Sequence, residues 1–318
     1  MSSLIGFGAF SVVEDAGDIH GRSCVVKTIP ISYCDTPQAQ ESRNHAYREL
    51  LALHLLADAP QIISLVDATY TSSSFRFYLE RMDITLQSFI GHADSPIPLL
   101  NIHFIANKIA LALDACRGLS IVHRDVKPSN ILISLKTGDV KLCDFGLARR
   151  LPRRTDQAFT ITGDVGTIWY KPIEALLQTA RLSFGIDIWS FGCVLAEMHR
   201  LRPLFAGSVT IQQLYLIQDC LGPVSSSEWP SWEADCPDSK LVSFEVRGFG
   251  LERLLPGIDP TLLKIISQCL IYNPEKRSSP RGIIAQLDAI VVPHVDFIGA
   301  CNEIITKSSL TVFDLVPN

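Results

Sequence analysis

Residues 184–198, Phe-Gly-Ile-Asp-Ile-Trp-Ser-Phe-Gly-Cys-Val-Leu-Ala-Glu-Met, are apolar nearly all round. Folded as a helix, such a segment has no face to offer water, so it needs a large domain that surrounds it. The chain is long enough to supply one: it has 318 residues, 47% of them hydrophobic and 19% charged. That balance excludes global disorder. The first eighty or so residues have a different character. Ser11–Glu14 and Ser23–Ile31 have strand composition, with Asp-Ala-Gly-Asp-Ile-His-Gly between them as turn chemistry. Thr36-Pro37 reads as a capped helix start, and apolar residues at Ala46, Leu50, Leu53 and Leu56 continue that helix. Gln61–Tyr70 and Phe75–Arg81 read as two further strands, split by the polar Thr71-Ser72-Ser73-Ser74. Beyond Arg81–Asp83 the pattern turns helical, with Leu100, Phe104, Ile105, Ile109, Leu113 and Cys116 on one amphipathic helix and two more helices near 260–270 and 279–290. The expected class is α+β, a strand-rich part followed by a helix-rich part, with a small-molecule site in a cleft between them.

Net charge is −5, which offers nothing to neutralise nucleic-acid phosphates. No apolar run reads as a membrane span, and the N-terminus lacks the basic segment and apolar core of a secretory signal. The nine cysteines, Cys24, Cys34, Cys116, Cys143, Cys193, Cys220, Cys236, Cys269 and Cys301, contain no C-x-x-C pair. They read as reduced thiols of a cytoplasmic or nuclear protein.

Chemistry is concentrated in a few motifs. Gly6-Phe7-Gly8-Ala9-Phe10-Ser11 lets backbone approach a phosphate closely, although Ser11 stands where the third glycine of G-x-G-x-x-G belongs. Lys27 ends the apolar Cys24-Val25-Val26, and Glu49 lies on the following helix, where a Lys–Glu pair would hold the ammonium for an anion. Each of these is weak alone. The strong signal is His123-Arg124-Asp125-Val126-Lys127-Pro128-Ser129-Asn130. Six fixed positions recur by chance on the order of 10⁻⁸ per start position. Asp144-Phe145-Gly146, Gly166-Thr167-Ile168-Trp169-Tyr170-Lys171-Pro172-Ile173-Glu174 and Asp187-Ile188-Trp189-Ser190-Phe191-Gly192 follow in order.

Together these motifs resemble those of eukaryotic protein kinases, from about Leu4 to about Leu287. The resemblance implies a two-lobed protein kinase fold. It has an N-terminal five-stranded antiparallel sheet plus one helix (N-lobe 1–81), a mostly helical C-lobe (82–290), and a C-terminal tail at 291–318. It implies transfer of the ATP γ-phosphate with Mg²⁺, a reaction that rests on positioning and charge neutralisation. On this pattern Asp125 orients the acceptor hydroxyl, Lys127 steadies the transferring phosphoryl group, and Thr167 bridges the two. Asn130 and Asp144 would hold Mg²⁺ through oxygen. Lys27, held by Glu49, would bind the non-transferred phosphates under Ile5, Gly6 and Gly8. Backbone groups of Glu80 and Met82 would bind adenine, with Leu79 behind it and Val13, Val25 and Leu132 around the ring. His123, Phe145 and Leu53 resemble packed spine residues, Asp187 an anchor of the catalytic loop, and Glu174 and Arg277 a structural ion pair.

Lys127 resembles serine/threonine kinases, and Asp187–Cys193 with Arg202-Pro203-Leu204-Phe205-Ala206-Gly207 resembles the cyclin-dependent and MAP kinase branch. Of the cyclin-binding helix signature only Arg48-Glu49 is present, which leaves cyclin binding open. Gly166 stands where proline-directed kinases carry Ala or Val, and Lys171 replaces the arginine that shapes their proline pocket. The pattern is similar to divergent fungal kinases that activate cyclin-dependent kinases by phosphorylating their activation loop. The expected partner is therefore a protein substrate, with a cyclin-dependent kinase as the candidate. A proline-directed kinase and a pseudokinase scaffold are the alternatives. Thr162 matches the activation-loop phosphosite, and Arg48, Arg124 and Arg149 match the arginines that clasp its phosphate. Ala9-Phe10 replace the Thr-Tyr pair on which inhibitory kinases act, so that mode of inhibition has no hydroxyl to use.

Overall fold

The computed structural model describes residues 4–8, 11–32, 34, 36–151, 167–177, 182–242, 246–290 and 296–307. In chain order the elements begin with β1 (Leu4–Gly8), β2 (Ser11–Ile19), β3 (Arg22–Pro30), α1 (Pro37–Leu55), β4 (Leu65–Tyr70) and β5 (Ser74–Glu80). Next come β6 (Ile84–Thr85), α2 (Leu86–Gly91), α3 (Leu99–Gly118), β7 (Ile121–Val122), β8 (Ile131–Ile133) and β9 (Val140–Leu142). Helices complete the chain: α4 (Ile173–Leu176), α5 (Gly185–Arg200), α6 (Thr210–Leu221), α7 (Trp232–Asp235), α8 (Leu251–Leu254), α9 (Pro260–Cys269), α10 (Pro280–Asp288) and α11 (Phe297–Lys307). These elements gather into two compact units. One comprises the described residues of 1–94, 129–149 and 297–318, and the other those of 95–128 and 150–296.

The first unit carries a five-stranded antiparallel sheet in the order β1-β2-β3-β5-β4. The β2–β3 hairpin is tighter than the sequence suggests. A bulge between Asp15 and Gly17 absorbs one residue, and the turn shrinks to His20-Gly21, both at positive φ. Thr36 caps α1 by accepting from the Ala39 amide at 3.2 Å, with Pro37 at the helix start. Ala39, His45, Ala46, Glu49, Ala52 and Leu53 form the buried face of α1. Polar Thr71 and Ser74 close the β4–β5 turn by hydrogen-bonding to each other's backbone and side chain. The β4 region is shorter than its apolar run, because Ile62 and Ile63 leave the sheet to bond alongside Leu142.

A second sheet, β6-β8-β9, belongs to the same unit. The Asp83 carboxylate stabilises its turn by accepting from the Leu135 amide at 2.8 Å and the Ser134 hydroxyl at 3.3 Å. Helix α11 packs on α2, with its Phe297 and Cys301 buried, and Ile298 lies against Gly138, which is held at φ +74°. The apolar 310–316 stretch lies outside the described residues.

In the second unit, α5 is buried from Gly185 to Met198, as its all-round apolar sequence requires. Gly192 allows the close approach of α9: a Cβ there would fall 2.7 Å from Cys269 Cβ. Helix α3 modifies one sequence expectation. At 20 residues it is long and apolar enough to cross a membrane by length and composition. The tertiary structure uses that apolarity as core, with Ile102, Ile105, Ile109 and Leu113 buried and α5 and α10 packed against it. Asn107–Asp288 and Asp114–Arg281 contacts tie α3 to α10 at the surface. None of the nine cysteines is in a disulfide and seven are buried, and burial pushes the Cys220 and Cys269 thiols up to about 12.

Arg277 is the main polar fixture of this unit. It makes a bidentate pair with Glu174 at 2.5 and 2.9 Å. It also donates to the carbonyls of Ile271, Gly185 and Tyr272 and lies 5.0 Å from the Trp189 ring centroid. Removing one member of a buried pair leaves an uncompensated charge. Arg277→Ala is therefore expected to lower stability by about 3–5 kcal/mol, read as a shift of the denaturant midpoint. A loss below about 1 kcal/mol, the surface-pair range, would contradict this account.

Candidate active site

The nucleotide-side residues expected from the sequence all lie in the first unit. In β1, Gly6 and Gly8 pair with Val13 and Ser11 of β2, and Ile5 is exposed beside them. The Ser11 hydroxyl sits against Gly8, where a Cβ would meet it at 2.8 Å. Strand register then sets Val13 opposite Lys27, and Lys27 opposite Phe77 of β5. Val25 faces Leu79 in the same ladder, and Leu79 is buried. Leu132 and Met82 are half-buried.

Lys27 is the electrostatic centre. Its ammonium donates to both Glu49 oxygens at 2.7 and 2.8 Å and to Asp144 Oδ1 at 3.0 Å. Glu49 is 1% exposed, on the inward face of α1, which excludes a solvated-surface role. Burial works against the Lys27 charge, but Asp144 and Glu49 outweigh it and hold the ammonium well above its ordinary range. Burial lifts the Glu49 carboxyl, and Lys27 pulls it back.

Asp144 has φ +62°, a strained value for a residue with a side chain. The amide of its neighbour Cys143 donates to the Asn130 carbonyl at 2.9 Å, tying the two metal-candidate segments together. A carboxylate and an amide oxygen so linked suit a hard divalent cation such as Mg²⁺. Glu80 is held from its side chain, accepting from Lys141 Nζ at 2.6 Å and the Ser64 amide at 2.7 Å. The Lys141 contact gave no sequence signal, since the partners are 61 residues apart.

Of the catalytic candidates, Asp125, Lys127 and Thr167 lie in the second unit and Asn130 in the first. Lys127 Nζ is 2.8 Å from Asp125 Oδ2, a pairing that local sequence spacing already suggests. Arg124 has φ +72°. Asp187 holds that strained turn, accepting from the His123 amide at 2.7 Å and the Arg124 amide at 2.8 Å. Burial raises the Asp187 carboxyl above its ordinary value, against the pull of His123 and Arg124. His123 is fully buried, and its Nδ1 accepts from the Asp125 amide at 3.2 Å. Thr167 is exposed. In the first unit Phe145 and Leu53 are buried.

Of the three phosphate-clasp candidates, Arg48 pairs with Glu41 at 2.8 Å and Arg149 donates to the Leu147 and Ala148 carbonyls. Arg124 is buried. Thr162 and Gly166 lie outside the described residues.

Residues 1–287 match the protein kinase domain family. Cyclin-dependent kinase 20 of Homo sapiens is 32% identical over 275 residues, covering 86% of this chain and 77% of that protein. Cell division control protein 2 homolog 2 of Trypanosoma brucei brucei is 32% identical over 276 residues, with the same coverage. Cyclin-dependent kinase 20 of Danio rerio is 29% identical over 279 residues. The sheet, the buried Lys27–Glu49 pair and this match define an enzyme of the protein kinase class, which uses ATP and typically Mg²⁺. The chain belongs to that family's cyclin-dependent-kinase-like branch and is a serine/threonine protein kinase.

Glu49→Gln keeps the side-chain volume and removes the charge that fixes Lys27. Phosphoryl transfer is expected to fall on the order of a hundredfold, with a raised KM for ATP in steady-state kinetics. Unchanged kinetics would show that the pair does not set the lysine's position.

Proposed function

We propose that this kinase phosphorylates the activation-loop threonine of a cyclin-dependent kinase and so acts in cell-cycle control. The observation that carries the reading is Lys171, half-buried, with its amide on the Ile168 carbonyl at 3.1 Å. Proline-directed relatives carry arginine there, and a lysine ammonium cannot reproduce the planar bidentate contacts of a guanidinium. Gly166 supports the same reading from sequence. The target threonine of such a substrate is not followed by proline. A second reading, a proline-directed kinase of cyclin-dependent type, draws support from relatives named cyclin-dependent kinase 20. Cyclin binding stands open in both readings.

In the proposed reaction Asp125 orients the acceptor hydroxyl and receives its proton. Lys127, 2.8 Å away, steadies the phosphoryl oxygens, with Thr167 completing the pair. Lys27 positions the non-transferred phosphates, and Glu49 and Asp144 hold it extended. Asn130 and Asp144 would hold Mg²⁺, which would supply charge neutralisation at the phosphates. Ile5, Gly6, Gly8, Val13, Val25, Leu79, Leu132 and backbone groups of Glu80 and Met82 receive the nucleotide. Thr162 is the regulatory phosphosite in this scheme, and Arg48, Arg124 and Arg149 are its phosphate ligands. Nine cysteines outside any disulfide support a cytoplasmic or nuclear setting.

The test is transfer from Mg·ATP to a purified, unphosphorylated cyclin-dependent kinase, with its activation-loop threonine intact or changed to alanine and no cyclin added for this chain. Ser/Thr-Pro peptides compete in parallel. Transfer is expected to the intact target alone, with Asp125→Ala slower on the order of 10²–10⁴-fold. Preference for the Ser/Thr-Pro peptides would establish the second reading instead.

A further inference from the structure

His45 lies one turn before Glu49 on α1, so the two side chains share a helix face. His45 Nδ1 is 4.0 Å from Glu49 Oε2. The residue is 5% exposed, and its ring occupies the space beside Gly146. A Cβ built on Gly146 would fall 1.7 Å from His45 Cε1, 1.9 Å from Nε2 and 2.2 Å from Nδ1. Gly146 is not among the glycines with positive φ. The imidazole, and not the backbone conformation, is what bars a side chain at residue 146.

These contacts close a circuit within one compact unit. Lys27 bonds to Glu49 and to Asp144, Gly146 follows Asp144 by two residues, and His45 on the Glu49 helix sits on Gly146. Asp144 is held at φ +62°, a conformation that persists only when its surroundings fix it. Burial, with the nearby charges of Lys27 and Arg48, holds the His45 imidazole neutral, with its pKa pushed down to about 4 against the opposing pull of Asp144. The ring can therefore pack on the glycine without a charge directed at Lys27.

We infer that His45 is a positioning residue for phosphoryl transfer: its imidazole, seated on Gly146, fixes the backbone that carries Asp144 relative to Lys27 and Glu49. A residue that merely filled the core would affect stability and leave the turnover of folded enzyme unchanged. A positioning residue must affect kcat and the Mg²⁺ requirement, because Asp144 is the group it places.

The experiment compares His45→Ala, Gly146→Ala and the double variant in the full chain, using a serine/threonine acceptor on which the unaltered enzyme is active. Thermal unfolding establishes the folded fraction of each. His45→Ala is expected to lower kcat on the order of ten- to a hundredfold and to raise the Mg²⁺ concentration for half-maximal rate, with KM for the acceptor unchanged. Gly146→Ala should be impaired by collision with the ring, and removing the ring should restore activity, making the double variant faster than Gly146→Ala alone. Such non-additivity is the signature of direct contact. If His45→Ala does not fold, His45→Gln carries the same expectation for kcat and Mg²⁺. Unchanged kcat and Mg²⁺ requirement in the folded His45 variant, or a double variant no faster than Gly146→Ala, would overturn the inference. Inactivity of the unaltered chain on every acceptor would instead count against the kinase activity itself.

Discussion

The arrangement of the first unit depends on one buried ammonium. Lys27 is drawn out of water onto Glu49 and Asp144, and in a low-dielectric setting such a charge is tolerable only when paired and hydrogen-bonded. Three separate pieces of chain must therefore agree: the register of β3, the inward face of α1 and the segment after β9. The sheet order puts Lys27 on the central strand β3, between β2 and β5, and β3 cannot slip by one residue against them without turning the lysine to the other face. Helix α1 carries Glu49 in a stripe of small apolar residues that lets the helix come close.

The second unit solves a related problem with the opposite sign. Asp187 is a buried carboxylate whose partners are backbone amides, and those two hydrogen bonds hold Arg124 at positive φ beside Asp125. Arg277 works on a larger scale, joining Glu174 to three carbonyls. In both units a buried charge is satisfied by groups distant in sequence, and loop geometry follows from that satisfaction.

What was legible in the sequence was local or periodic. Thr36-Pro37 announced α1 through capping chemistry, and the unbroken apolarity of 184–198 announced the buried α5. Strand ends were less legible: the bulge at Gly17 lengthens β2 beyond its apolar pattern, and Ile62 leaves the ladder that its composition suggests. The apolarity of α3 has the length of a membrane span, and only its packing partners give it the role of core. The motif residues were legible by chemistry and spacing, but their supporting groups were not. Lys141 beneath Glu80, His45 over Gly146 and α11 against α2 depend on contacts between distant segments that no short pattern encodes.

The central proposal is that Lys27, Glu49 and Asp144, already in contact in the lone chain, form its nucleotide site. The most direct test is calorimetric titration of the purified protein with Mg·ATP in the absence of any partner, beside Lys27→Met. The account predicts saturable, Mg²⁺-dependent binding to the unaltered chain, weakened at least tenfold by the substitution, which corresponds to about 1.4 kcal/mol. Binding that emerges only after another protein is added, or that is indifferent to Lys27, would contradict it.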